Sequence, residues 1–349
     1  GSVYMATQTE PIRRKVALKV IKAGMDSKQV VSRFEAERQA LAMMDHPNIA
    51  RVIDGGATES GRPYFVMELV KGIPITDHCD RYRLTTNDRL EVFGDVCSAV
   101  QHAHHKGIIH RDLKPSNILV TQLDGKAIPK VIDFGIAKAT SGHLTDGSLV
   151  TAHSQMVGTP LYMSPEQADA SVADVDTRSD VYSLGVLLYE LLSGTTPFDR
   201  ERMSSVSFDE FRRIVREEDP PRPSTRLSTL DAALETVADK HHTDPRTLFH
   251  EVSGELDWIV MKALEKDRTR RYESANELAK DMQRYFDDEA VEACPPSKLY
   301  RLRKLVRRNR TLLVAGGAVG LALIVGAGIA TWQAIRAEGQ LEVAEAQQS

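Results

Sequence analysis

The sequence predicts an α+β chain with a small strand-rich part, a larger helical part and one apolar helix near its end. Three observations predict this. Val16-Ala17-Leu18-Lys19 alternates as a strand does, and Tyr64-Phe65-Val66-Met67-Glu68-Leu69-Val70 reads as a buried strand. Between them, Arg33–Leu41 is charged and strongly helical. Far downstream, no charged side chain interrupts Thr311 to Trp332. As a helix that run would extend about 33 Å at ~1.5 Å per residue, enough for a hydrocarbon core of ~30 Å.

Composition narrows the class. The chain has 349 residues and 42% hydrophobic content, sufficient for a sizeable core. A formal net charge of −4 carries no nucleic-acid signature, and no nucleic-acid partner is expected. Cys79, Cys97 and Cys294 are odd in number, widely spaced and without metal-ligand spacing, which points to a reducing compartment. His102, His104 and His105 lie just before a polar loop and read as helix-end residues, not as a metal site. There is no internal repeat.

The chemistry concentrates in His110-Arg111-Asp112-Leu113-Lys114-Pro115-Ser116-Asn117 and Asp133-Phe134-Gly135. An isolated Asp or Asn in such loops would merely cap a turn. Together they supply a base, a cation and two hard-oxygen ligands. The pair of motifs resembles the catalytic core of a protein kinase, and residues 1 to about 290 resemble bacterial eukaryotic-like (Hanks-type) serine/threonine kinases.

That resemblance implies a two-lobed fold, ATP and Mg2+ as cofactors, and phosphoryl transfer, a reaction governed by positioning and charge neutralisation. It assigns Asp112 to the substrate hydroxyl proton, Lys114 to the transferring phosphate, and Asn117 and Asp133 to magnesium. Lys19 would bridge the α- and β-phosphates and pair with Glu37, with Glu35 as the fallback. Met67 would be the gatekeeper, with main-chain groups of Glu68 and Val70 on the adenine edge. Val3, Ala17 and Leu119 would sandwich the base. Each of those apolar residues alone is indistinguishable from core.

Gly158-Thr159-Pro160-Leu161-Tyr162-Met163-Ser164-Pro165-Glu166 resembles the end of an activation segment, with Ser164 in place of the usual Ala. Thr159 would help place Asp112 and Lys114. Lys114 and Thr159 favour serine or threonine in a protein substrate. Asp180, opening an apolar helix, would anchor the catalytic-loop backbone, and Arg271 would be the buried partner of Glu166. Arg111 suggests gating by phosphorylation between Asp133 and Glu166, with Thr151 and Ser154 as the expected sites.

One departure stands out. Gly1-Ser2-Val3 fits only the end of the glycine loop G-x-G-x-x-G-x-V, so Gly1 is the single loop glycine matched. The expectation is a chain truncated at its N-terminus, with an exposed edge on the small sheet. Activity of a chain without the full loop is in question, and a pseudokinase acting as a membrane-tethered scaffold is the rival reading.

The expected boundaries are a small lobe at 1–69 and a large lobe at 70–290, where Cys294-Pro295-Pro296 breaks the last helix. A basic juxtamembrane segment follows at 291–310, a transmembrane helix at 311–332, and the start of an extracytoplasmic region at 333–349. Leu227–Val252 reads as an inserted helical excursion. Lys298, Arg301, Arg303, Lys304, Arg307, Arg308 and Arg310 precede the span without any acid, which places the kinase on the cytoplasmic side of a bacterial membrane, crossed once. Ala318, Ala322, Gly326 and Ala330 form a small-residue stripe suited to a homodimer. The expected role is a signalling receptor.

Overall fold

The computed structural model describes residues 2–20, 41, 43–59, 61–134, 160–169, 175–295, 297, 299–300, 304, 306, 308, 316, 318–333 and 336. The first of two compact units takes in 1–283 and 291–294. It begins with four antiparallel strands, β1 (Ser2–Gln8), β2 (Arg14–Val20), β3 (Val52–Ala57) and β4 (Pro63–Glu68), in the order β1-β2-β4-β3. Alternation decides which face is buried: in β4, Pro63, Phe65 and Met67 face inward while Tyr64, Val66 and Glu68 are half-exposed. The register sets Ala17 opposite Met67 and Lys19 opposite Phe65, so Lys19 leaves the sheet beside its apolar face. β1 lies at a sheet edge and is mostly exposed.

Beyond the sheet, β5 (Ile73–Pro74) leads into α1 (Ile75–Arg81) and the long α2 (Thr86–His105). Thr85 and Asp88 close a reciprocal capping box that satisfies orphan N–H groups at the start of α2. A 3-10 turn at Pro115–Asn117 delivers the chain to β6 (Ile118–Leu123), which pairs with β7 (Lys126–Val131) and β5 in a second, three-stranded sheet. The segment after Asp45 is stitched to β7: Ala50 N–H donates to the Val131 carbonyl (2.9 Å), and Val131 N–H donates to the Asn48 carbonyl (2.8 Å). The strand-rich part is thereby tied to the strand that ends just before Asp133.

The helical part follows, with α3 (Pro165–Ala168), α4 (Arg178–Ser193), α5 (Arg200–Ser205), α6 (Phe208–Glu217), α7 (Pro223–Ser228), α8 (Ala233–Lys240), α9 (Pro245–Val252), α10 (Glu255–Ala263) and α11 (Ala275–Phe286). α4 is buried from Ser179 to Ser193 and serves as the axis of this part. It can be polar at Asp180, Ser183 and Glu190 because each of those side chains is hydrogen-bonded. Gly185 lets α10 approach closely, since a Cβ there would lie 2.8 Å from the Ala263 Cβ.

Two expectations need correcting. Leu227–Val252 is helical, but it is not an excursion. Leu227, Leu248 and Val252 are fully buried, the Ser224 hydroxyl and N–H donate to the Asp257 carboxylate, and the buried Arg89 donates to the Lys240 carbonyl at 2.7 Å. The last helix also ends before Cys294-Pro295. Asp288 adopts φ 55°, and the Asp281 carboxylate accepts N–H groups from Glu292 (2.5 Å) and Ala293 (2.9 Å). A left-handed residue and a carboxylate that folds the chain back, not the prolines, stop it.

The second unit comprises 284–290 and 295–349. In it, residues 318–333 are helical with exposed apolar side chains, among them Leu321, Leu323, Ile324 and Trp332. Among the described residues, no helix is long and apolar enough to cross a membrane; 311–315 and 317 lie outside them.

Candidate active site

The site forms where the 3-10 turn, the end of β7 and β2 converge. His110 is fully buried, and burial holds its imidazole below the ordinary histidine pKa. Its hydrogen bonds require one neutral tautomer. Nε2 donates to the Ile132 carbonyl at 3.0 Å, and Nδ1 accepts the Asp112 N–H at 3.3 Å. The same ring packs on Phe134, itself buried, with centroids 4.8 Å apart. One side chain thus locks the segment before Asp133 to the segment before Asp112.

Asp180 holds the loop from beneath. It is fully buried, and its carboxylate accepts the N–H of His110 (2.7 Å), the N–H of Arg111 (2.8 Å) and His104 Nε2 (2.8 Å). Burial alone would raise its pKa, but the His104 hydrogen bond and the main-chain donors outweigh that and hold the carboxyl below its ordinary range. Arg111 has φ 62°, a costly left-handed conformation for a non-glycine residue. Asp180 on its N–H and Gln167 Nε2 on its carbonyl (3.0 Å) clamp it there.

With the backbone fixed, the polar groups converge. Lys114 Nζ lies 2.9 Å from Asp112 Oδ2. Asn117 Nδ2 donates to the Asp112 carbonyl (2.8 Å) and to Oδ2 (3.1 Å). Ile132 N–H bonds the Asn117 carbonyl (2.9 Å), which brings Asp133, also left-handed at φ 59°, alongside Asn117. From the other side Lys19 Nζ reaches Asp133 Oδ1 at 3.0 Å. A carboxylate flanked by two donors, facing a second carboxylate and an ammonium, is an arrangement suited to handling an anionic group.

Comparison with known proteins agrees with this geometry. Residues 1–283 match the family model described as "Protein kinase domain". The chain belongs to the protein kinase family. It is 37% identical over 288 residues to serine/threonine-protein kinase PknB of Mycobacterium tuberculosis, covering 81% of this chain and 40% of that protein. It is 38% identical over 239 residues to serine/threonine-protein kinase Pkn1 of Myxococcus xanthus, covering 68% of this chain and 32% of that protein. A probable serine/threonine-protein kinase of Streptomyces coelicolor is 35% identical over 299 residues, covering 84% and 39%. The kinase domain is of the bacterial serine/threonine type, and the chain spans about 40% of the length of PknB.

Elsewhere in the kinase domain, Met67 and Ala17 are buried neighbours across β4 and β2, while Val3 and Leu119 stay partly exposed. The Glu68 N–H donates to the Arg51 carbonyl at 2.9 Å. The Glu68 carboxylate is tied to Lys130 at 2.9 Å, and Val70 is half-buried. Arg271 forms a bidentate pair with Glu166 at 2.7 and 2.8 Å, both nearly excluded from water. Gly1, Glu37, Glu35, Thr151, Ser154 and Thr159 lie outside the described residues. A cavity of about 440 Å³ is lined by Asp77, Asp80, Lys114, Ser116, Glu190 and Arg200.

Sequence reasoning missed two positioning groups. His104 read as an ordinary helix-end residue, and its bond to Asp180 joins positions far apart in the chain. Gln167 carries no local signal at all, because its role is to reach Arg111.

Proposed function

We propose that the chain is the catalytic part of a membrane-anchored kinase that transfers the ATP γ-phosphate to serine or threonine hydroxyls of proteins. The observation that carries this reading is the convergence of Lys114 and Asn117 on Asp112 Oδ2, at 2.9 and 3.1 Å. In this reading Asp112 orients the acceptor hydroxyl and takes its proton, and Lys114 offsets the charge gathering on the transferring group. Lys19 holds the nucleotide phosphates.

The donor set fits magnesium. Asn117 commits its Nδ2 to Asp112, which turns the amide oxygen elsewhere, and Asp133 offers a partly exposed carboxylate. Magnesium takes hard oxygen ligands of this kind and keeps several waters. Asn117 and Asp133 would hold it, and it would supply neutralisation of the phosphate oxygens.

Gating by phosphorylation of Thr151 or Ser154 is part of the proposal, with Arg111 as the cation that such a phosphate would meet. So is anchoring through 311–332 with a cytoplasmic kinase domain. The exposed apolar helix at 318–333 and the basic run before it support this. A homodimer through the small-residue stripe belongs to the same reading.

The test is transfer of labelled phosphate from ATP with Mg2+ to a protein acceptor, followed by phosphoamino-acid analysis. Label on serine or threonine that is lost with Asp112→Asn supports the proposal. Equal transfer by both proteins refutes the assigned base, and label on tyrosine refutes the acceptor class.

A further inference from the structure

The turn that ends α11 is acidic, and it grips the basic segment that follows. Asp288 N–H donates to the Tyr285 carbonyl at 3.3 Å and Glu289 N–H to the Arg284 carbonyl at 2.8 Å, so the turn is fixed on the helix end. Asp288 Oδ1 accepts Lys304 Nζ at 2.8 Å. The neighbouring Glu289 carboxylate meets the Arg308 guanidinium. Lys304 and Arg308 are one helical turn apart, so two consecutive acids take hold of one face of the segment. Lys304 is only 8% exposed, a burial that lysine rarely adopts unless paired.

The same segment carries features that suit a different partner. Lys298, Arg301, Arg303, Lys304, Arg307, Arg308 and Arg310 occur without an intervening acid. Leu299 is 80% exposed and Val306 45% exposed on the same stretch. Cations interleaved with exposed apolar side chains, leading into an uncharged run, match the interface of a bilayer bearing anionic lipid. The Arg308–Glu289 pair is about half open to solvent, so headgroups can reach Arg308 directly, whereas Lys304 must leave its buried place beside the partly exposed Asp288 to meet them.

We infer that Asp288 and Glu289 form a catch that holds Lys304 and Arg308 until anionic lipid headgroups displace them. The inference rests on the membrane-anchor reading above. The half-exposed Arg308–Glu289 pair contributes little. An anionic bilayer presents many headgroups at the same depth and attracts each nearby cation, which for two cations favours release by about thirtyfold. A neutral bilayer offers no such competition, so the catch stays closed.

The test uses the full chain reconstituted in lipid nanodiscs and treated with a carbodiimide, which joins paired carboxylate and amine. The Asp288–Lys304 cross-link is then quantified by mass spectrometry. In phosphatidylcholine discs the cross-link should form. With about 30% phosphatidylserine its yield should fall about tenfold. Glu289→Gln should lower the yield already in the neutral discs, because one arm of the catch is gone. Equal yields in the two lipids, no cross-link in neutral discs, or no effect of Glu289→Gln would each overturn the inference while the anchor reading stands. Failure of the chain to enter either disc would overturn both.

Discussion

Lys19 Nζ sits 3.0 Å from Asp133 Oδ1, joining the two charges that the kinase motifs assign to the nucleotide phosphates and to magnesium. Among the described residues each is the ion partner of the other, in a partly buried cleft, so removing either one alone takes that compensation away. Lys19→Met should therefore weaken ATP binding and lower the transfer rate. Asp133→Asn should instead raise the magnesium concentration needed for half-maximal rate. Titrating magnesium at fixed ATP in both variants checks the split; identical magnesium curves for Asp133→Asn and the parent would refute it.

Asp112→Asn keeps the size of the side chain and removes its basicity. The expected loss in kcat is about 10²- to 10⁴-fold, the usual contribution of a positioned base. KM for ATP should move little, because the nucleotide is held from the Lys19 side. Steady-state kinetics with unchanged far-UV circular dichroism would separate lost chemistry from lost fold.

The Glu166–Arg271 pair is bidentate and nearly excluded from water, and Ser179 also donates to Glu166 at 2.6 Å. Arg271→Ala strands a buried carboxylate and should destabilise by about 3–5 kcal/mol. Urea midpoints measure it directly. A loss under ~1 kcal/mol would show that water replaces the guanidinium.

His241 is almost fully buried, and burial, with Arg89 and Lys240 nearby, pushes its pKa down to about 3 from an ordinary 6.5. The folded state therefore keeps it neutral where the unfolded chain takes up a proton. Its contribution is intact above about pH 6.5 and is lost progressively as pH falls towards 3. At pH 5 this amounts to about 2 kcal/mol. His241→Gln should reduce the difference in urea midpoint between pH 7 and pH 5 by a corresponding amount, and an unchanged difference would argue against the assignment.

Gly185→Ala would press a Cβ to within 2.8 Å of the Ala263 Cβ, where α4 crosses α10. Overpacking of this kind costs about 1–3 kcal/mol. Thermal unfolding should show the loss, and the paired change Ala263→Gly should recover part of it.

The legible parts of this molecule are those where chemistry and local pattern coincide. β2 and β4 were readable because alternation and an apolar run leave one face to bury. Asp112, Lys114 and Asn117 were singled out because one short motif carries all three, and it was the family resemblance that gave them roles. Asp180 and the Glu166–Arg271 pair came through the family resemblance. His104 and Gln167 did not come through, because their partners are set by how helices pack and not by neighbours in sequence. The end of α11 was misplaced for a related reason. The prolines are a visible stop signal, whereas the carboxylate of Asp281 turning the chain back is visible only in three dimensions.

Asp180 belongs to α4, the helix around which the larger part of the molecule is built, and it suspends His110 and Arg111 from that helix. The acceptor side of the reaction thus has its own foundation. Lys19 stands on β2, outside this suspension, and takes no part in the bonds that hold His110 and Arg111 to Asp180. In the proposed reading this gives the carboxylate of Asp112 a fixed address, set by α4 and not by the strands that carry Lys19.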